Sequence, residues 1–412
     1  MKRIVLCCDG TWSNDDSLHP TNVMHLKRAI LPMGPDGVPQ IAHYVSGVGS
    51  RSDGALQGLD RLFGGAFGAG LARNVERAYA AIVASYDPGD RIYLFGFSRG
   101  AYTARSVAGL VRSCGILDRA DPRLVAKAFA LYKDPRIRPS DPEALEFRAR
   151  HSRSTVLDEG ELAWRRANGW IDGADPARLA IEYVGVWDTV GALGVPGHLV
   201  FSHLLNWRHQ FHDASLSSKV RAARHAVSID EDRRAFEPTL WDNLRDRVGP
   251  DGVVRPGLNG GAPGDPEPYL QHWFPGDHGS VGGGGERRQL SADALSWIAE
   301  GAAERGLAID PAAVAAWRNE TDAFGPLRAS GRTAAWTRWL SRAPRRGPDE
   351  ERDLSAAARR RWGASARELA EHPYRPAALR TLEAVLARLA DGIAERDPTV
   401  GHEPVDARRE AA

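Results

Sequence analysis

Short apolar runs alternate with segments of helical periodicity along most of this chain, and that alternation narrows the possible folds most sharply. Arg3–Cys8 is the first run and stops at Asp9-Gly10-Thr11. A helix is predicted from about Asn22, where Val23, Leu26 and Ile30 share one face. Ile41–Val45 is the second run. A glycine-rich stretch, 47–65, leads into a predicted helix near Leu71–Ser85, closed by Asp87-Pro88-Gly89. Arg91–Phe95 is the third run. The helix predicted after it, Arg99–Ser113, carries Tyr102, Val107, Leu110 and Val111 as apolar members. Strand then helix, three times over, predicts a mostly parallel α/β sheet with helices on both faces. Ile181–Trp187, Ala226–Ile229 and Tyr269–Phe274 read as further strands, and Ser291–Arg305 as a further helix.

The rest of the chain is less regular. Residues 117–175 are charged and arginine-rich, predicted helical in pieces, and form a candidate cap over a site. Residues 249–268 are rich in glycine and proline and read as a loop. Beyond about Leu307 the composition shifts to alanine and arginine. There Leu382, Val385, Leu386, Leu389 and Ile393 fall at helical spacing and predict one amphipathic helix. The expected organisation is a catalytic domain over 1–306 with helical insertions, a helical C-terminal extension over 307–395, and a disordered tail over 396–412.

Composition excludes several classes. With 412 residues, 42% hydrophobic and 26% charged, the chain has ample material for a core. A net charge of +1 gives no ground for a nucleic-acid partner and allows only transient contact with a membrane surface. No apolar run reaches the length of a membrane span. The start, MKRIVLCCDG, reads as a strand and not as a signal peptide. The three cysteines form neither a disulfide framework nor a zinc spacing. A reducing compartment, the cytoplasm, is therefore expected, with export lacking a cleavable signal as the alternative.

Gly96-Phe97-Ser98-Arg99-Gly100 is the single G-x-S-x-G of the chain. Chance alone places such a pentad in roughly one chain in ten, so context must decide. A serine hydroxyl is a weak nucleophile and needs a base, and the base needs an orienting acid. A strand before and a helix after set up a sharp turn, where residues two positions either side of the serine must be small. Gly96 and Gly100 meet that need. On such a sheet the partners follow in the order serine, acid, histidine, at the carboxyl ends of strands. Asp188 follows the fourth run, and His278 follows the last, in a turn with Gly276 and Gly279. Asp9 is the alternative acid, its other role being to fix the Gly10-Thr11 loop. His272, His225 and His212 compete with His278.

An oxyanion hole needs two backbone N–H groups. Arg99 supplies one, and Gly10 or Thr11 the other if Arg3–Cys8 is the neighbouring strand. Asp277 and Gly282, beside the candidate base, read as wall and loop support. His198, His203, His209 and His212 lie in one stretch but lack H-E-x-x-H spacing, so no metal and no cofactor is expected.

The motifs CCDGTWSN, GFSRGAYTARSVAGL, VGVWDTVGALG, HAVSIDEDRRAFEPTLW and HWFPGDHGSVGGGG, in this order over about residues 1–300, resemble the bacterial type VI secretion phospholipase effector catalytic-domain family. The resemblance implies an α/β-hydrolase fold, a Ser98–Asp188–His278 triad and ester hydrolysis of phospholipids. One position departs from it. Where the family often has H-S-D-V-G-G, this chain has His278-Gly279-Ser280-Val281-Gly282-Gly283, which changes the wall of the site. The C-terminal hundred residues lack the large membrane-anchoring module of toxic effectors, so an intracellular relative is expected.

The function expected is that of a serine hydrolase acting on carboxylic esters, phospholipid or lysophospholipid first. A general esterase, thioesterase or amidase is the alternative, and a non-catalytic scaffold of the same fold the third reading. The apolar residues of Leu193–Trp207 are expected either to wall an acyl site or to fill core. Immunity and secretion partners are not indicated by any motif.

Overall fold

The computed structural model of the protein describes residues 1–10, 18–47, 65–191, 215–248, 252–260, 267–330, 342–369 and 372–388, with backbone alone at 65–69 and 235. Six strands form the central sheet: β1 Arg3–Cys8, β2 Gln40–Val45, β3 Arg91–Phe97, β4 Ile181–Trp187, β5 Ala223–Ser228 and β6 Tyr269–Phe274. Their order is β6-β5-β4-β3-β1-β2, and every neighbouring pair is parallel. The expected α/β architecture is therefore observed. From β1 the chain crosses to β2 on one side and then returns to β3 on the other. Sheets of this kind open a crevice at such a switch point, beyond the carboxyl ends of the strands. The turn after β1 and the turn after β3 both lie there.

Ten helices are placed around this sheet by the described residues: α1 Asn22–Ala29, α2 Gly65–Ser85, α3 Arg99–Cys114, α4 Pro122–Lys133, α5 Pro142–His151, α6 Glu159–Ala167, α7 His278–Gly282, α8 Gln289–Glu304, α9 Pro311–Glu320 and α10 Ala356–Gly363. Strand side chains alternate between the faces, and β1 shows it directly. Ile4, Leu6 and Cys8 join α2, α3 and α4 in one core, through Val75, Tyr79, Val107, Val111 and Phe129. Val5 and Cys7 point the other way, into a second core with Phe95, Trp187 and the α1 and α8 residues Val23, Leu26, Leu295 and Ile298. Both faces being covered explains why these strands read as nearly continuous apolar runs.

The segment expected as a candidate cap is fastened to the far end of α3. Arg148 Nη1 donates to the Ser113 carbonyl (2.9 Å) and Ser152 Oγ accepts from Ile116 N (3.1 Å). The 16 residues of α3 span about 24 Å, so these anchors lie a helix length away from Ser98. Inside the segment, Glu161 is buried between Arg148 (3.0 Å) and Arg165 (2.5 Å). That arrangement compensates the buried carboxylate and ties α5 to α6.

The C-terminal residues lie against the sheet. Trp317 of α9 joins the α8 core. Leu354, Ala358, Trp362, Leu379, Leu382 and Leu386 pack on Val227 of β5, Trp273 of β6 and Ile229 just after β5. Ser355 N donates to the Trp273 carbonyl (2.9 Å), so the outer edge of β6 is partly covered. Of the predicted amphipathic helix, Leu382 and Leu386 are buried and Val385 half-buried, while Leu389 and Ile393 lie outside the described residues, as do 396–412. Among the described residues no helix is long and apolar enough to cross a membrane.

Candidate active site

Among the described residues only two non-glycine residues take a positive φ: Ser98 (58°) and Asp188 (38°). Such conformations cost about 1–3 kcal/mol each and persist where the surroundings impose them. For Ser98 the surroundings are two glycines. A Cβ at Gly96 would lie 2.4 Å from the Gly100 carbonyl oxygen, and one at Gly100 would lie 2.2 Å from the Cys8 carbonyl oxygen. The turn from β3 into α3 is thus pressed onto α3's first turn and onto β1. Ser98 occupies the N-cap position of α3, yet its hydroxyl makes no capping bond.

That hydroxyl is 2.8 Å from His278 Nε2, and His278 Nδ1 is 2.5 Å from Asp188 Oδ2. Asp188 is fully buried, and Ser98 and His278 are 4% and 7% exposed. His278 opens the short helix α7, where sequence reading expected a turn. Asp277 caps that helix by accepting from Ser280 N and Ser280 Oγ, both at 2.9 Å, and its own N–H donates to the Leu327 carbonyl (2.8 Å). The imidazole is held between two rings, Phe97 (4.6 Å between centroids) and Phe236 (4.8 Å). Gly282 makes room for the first of these: a Cβ there would lie 1.9 Å from the Phe97 ring.

Asp188 accepts four hydrogen bonds. Oδ2 takes His278 Nδ1 and Arg345 Nη2 (3.0 Å), and Oδ1 takes Ser228 N (2.9 Å) and Arg345 Nη1 (2.7 Å). Burial opposes its ionisation, but Arg345 and His278 outweigh burial and hold its carboxyl well below the usual carboxylate range.

Asp9 does not reach the ring. Its carboxylate accepts from Gly10 N (2.7 Å), Thr21 Oγ1 (2.8 Å) and Tyr44 OH (2.9 Å), fixing the turn after β1. This corrects one expectation. The Gly10 N–H, expected as an oxyanion donor, is turned to Asp9, because a short acidic side chain readily captures the next amide. Gly10 itself lies against Ser98, a Cβ there falling 3.4 Å from Ser98 Cβ. Thr11, the other expected donor, lies outside the described residues. The Arg99 amide is the first of α3, directly after Ser98, at the positive end of that helix.

The described competing histidines, His225 and His272, are occupied elsewhere. His225 is buried, with Nδ1 3.0 Å from Gln271 Oε1 and Nε2 accepting from Thr189 N (3.2 Å). Burial and nearby Arg105 push it down to about 3. His272 stacks on Trp297 at 4.8 Å. His212 lies outside the described residues, as do His198, His203, His209 and the apolar segment Leu193–Trp207. Among the described residues no group of three or more histidine, cysteine or acidic side chains could hold a metal ion.

Three contributors to the site went unread in the sequence. Phe97 stood inside the quoted pentad but was not given a role. Glu231 accepts from the His278 amide (3.2 Å) and is itself paired with Arg233. Arg345 comes from the alanine- and arginine-rich region, where no local pattern distinguishes it from its neighbours.

The chain is 29% identical over 245 residues to the uncharacterized protein YEL023C of Saccharomyces cerevisiae, covering 57% of this chain and 32% of that protein. Two solved structures share 16–18% of residues with it. An uncharacterized protein from Pseudomonas aeruginosa covers 97% of this chain, and this chain covers 68% of it, at a TM-score of 0.41. The Tle1 effector bound to the VgrG spike of the type 6 secretion system covers 68% of this chain, at a TM-score of 0.35. The chain spans about a third of the yeast protein and 51% of the effector chain. Residues 2–301 match the family model described as T6SS, phospholipase effector Tle1-like, catalytic domain, and over those 300 residues this chain belongs to that family.

Proposed function

We propose that this protein is a serine hydrolase that cleaves carboxylic esters of phospholipids or lysophospholipids through an acyl-enzyme. The observation that carries the reading is the continuous relay from Ser98 Oγ through the His278 ring to Asp188, at 2.8 and 2.5 Å. His278 Nε2 takes the hydroxyl proton as Oγ attacks the ester carbonyl, and Asp188 stabilises the imidazolium that forms. The imidazolium then gives its proton to the leaving alcohol. Water, deprotonated by the same nitrogen, releases the acid. On this reading the Arg99 amide, directly after Ser98 at the start of α3, is one oxyanion donor.

Membership of the phospholipase effector family supports the lipid ester over other acyl substrates. The test is a panel of phospholipids, lysophospholipids, soluble short esters, thioesters and amides, run on wild type and Ser98→Ala. Hydrolysis of aggregated phospholipid by the wild type alone is the expected result. Preference for short soluble esters, with no gain on aggregated lipid, moves the protein to a general esterase.

A further inference from the structure

We infer that Arg345, which lies beyond the region matched to the family, is a positioning residue that orients Asp188 toward His278. The inference rests on the serine-hydrolase reading above. An ionised carboxylate offers about four acceptor positions, and all four on Asp188 are filled. Arg345 fills two of them with a planar fork, one nitrogen to each oxygen at 2.7 and 3.0 Å. A fork of that kind fixes the carboxylate plane as well as its place. The guanidinium is itself fixed, since Nη1 also donates to the Ser228 carbonyl (2.9 Å) and Nη2 to the Phe236 carbonyl. Phe236 packs on the His278 ring, so one arginine holds the acid and the backbone of the ring's neighbour together.

The residues around Arg345 hold it in place. Ala343 N donates to the Asp232 carbonyl (2.8 Å). Further on, Leu354 and Ser355 lie along β6, and the apolar residues from Leu354 to Leu386 pack on β5 and β6. Delivery of the fork is thus part of the same packing that covers the sheet edge.

The test compares Arg345→Lys, Arg345→Gln and Arg345→Ala in the full chain, with folded fraction measured for each. Arg345→Gln is expected to lose on the order of 100-fold in kcat, the scale of a misplaced catalytic group, with KM within about twofold. Arg345→Lys retains the charge but loses about tenfold in kcat because it lacks the fork. Millimolar methylguanidinium restores part of the Arg345→Ala rate. Folded Arg345→Gln with wild-type kcat overturns the inference. So does a loss of rate that only tracks loss of folded protein. Ser98→Ala run alongside separates the two claims: if it stays active, the hydrolase reading itself fails, whatever Arg345 does.

Discussion

Gly282 and Phe97 fit together as a glycine and the ring that occupies its missing side chain. A Cβ at 282 would sit 1.9 Å from the ring, which no real contact allows, and the same ring stacks on His278. Gly282→Ala is therefore expected to push Phe97 aside and release the imidazole. Overpacking of this kind costs about 1–3 kcal/mol. A lower Tm together with a fall in kcat larger than the change in KM is the expected pair of results.

Gly100→Ala meets backbone instead of a movable ring, at 2.2 Å from the Cys8 carbonyl oxygen. β1 cannot yield without disturbing its pairing with β2 and β3. The loss of stability should exceed that of Gly282→Ala. Urea unfolding of both variants checks the ranking.

Asp188→Asn tests the buried ion pair from the acid side. Arg345 then faces a neutral amide inside the protein, and breaking a buried pair from one side costs about 3–5 kcal/mol. Loss of the ring's orienting acid lowers kcat by about 10⁴. Chemical denaturation and steady-state rates measure the two effects separately.

Acid should weaken this fold above the usual carboxylate range. His225 is held down to about 3 by burial, then by Arg105, whereas an unfolded histidine titrates near 6.5. Between those values the unfolded chain binds a proton that the folded chain refuses, so stability falls as pH falls. His225 alone should account for roughly 1.5 kcal/mol between pH 6.5 and 5. In His225→Gln, whose amide keeps a donor and an acceptor, the fall in urea-unfolding free energy over that interval should shrink by about that amount.

The sheet was legible because its inner strands are buried on both faces and read as apolar runs, Arg3–Cys8 and Ile181–Trp187 most plainly. The relay was legible because nucleophile, acid and base must follow strand ends in a fixed order. Other parts depend on contacts between distant segments. Arg345 meets Asp188 across 157 residues, and nothing local marks it. Gly10 was expected as one of two alternative donors because its strand was placed correctly, while the competing acceptor, Asp9, was one residue away. His278 was expected in a turn because a five-residue helix is too short to show a period.

The central claim is that Ser98 becomes covalently acylated, and a fluorophosphonate probe tests it most directly. Intact-mass analysis and peptide mapping of wild type, Ser98→Ala and His278→Ala would show where the phosphonyl group attaches and how fast. The account predicts one adduct per chain on Ser98 in the wild type, none in Ser98→Ala, and labelling slowed by about 10³-fold or more in His278→Ala. A lipid-hydrolysing wild-type preparation that takes up no probe at Ser98, or a Ser98→Ala protein that still hydrolyses lipid at the wild-type rate, would contradict it.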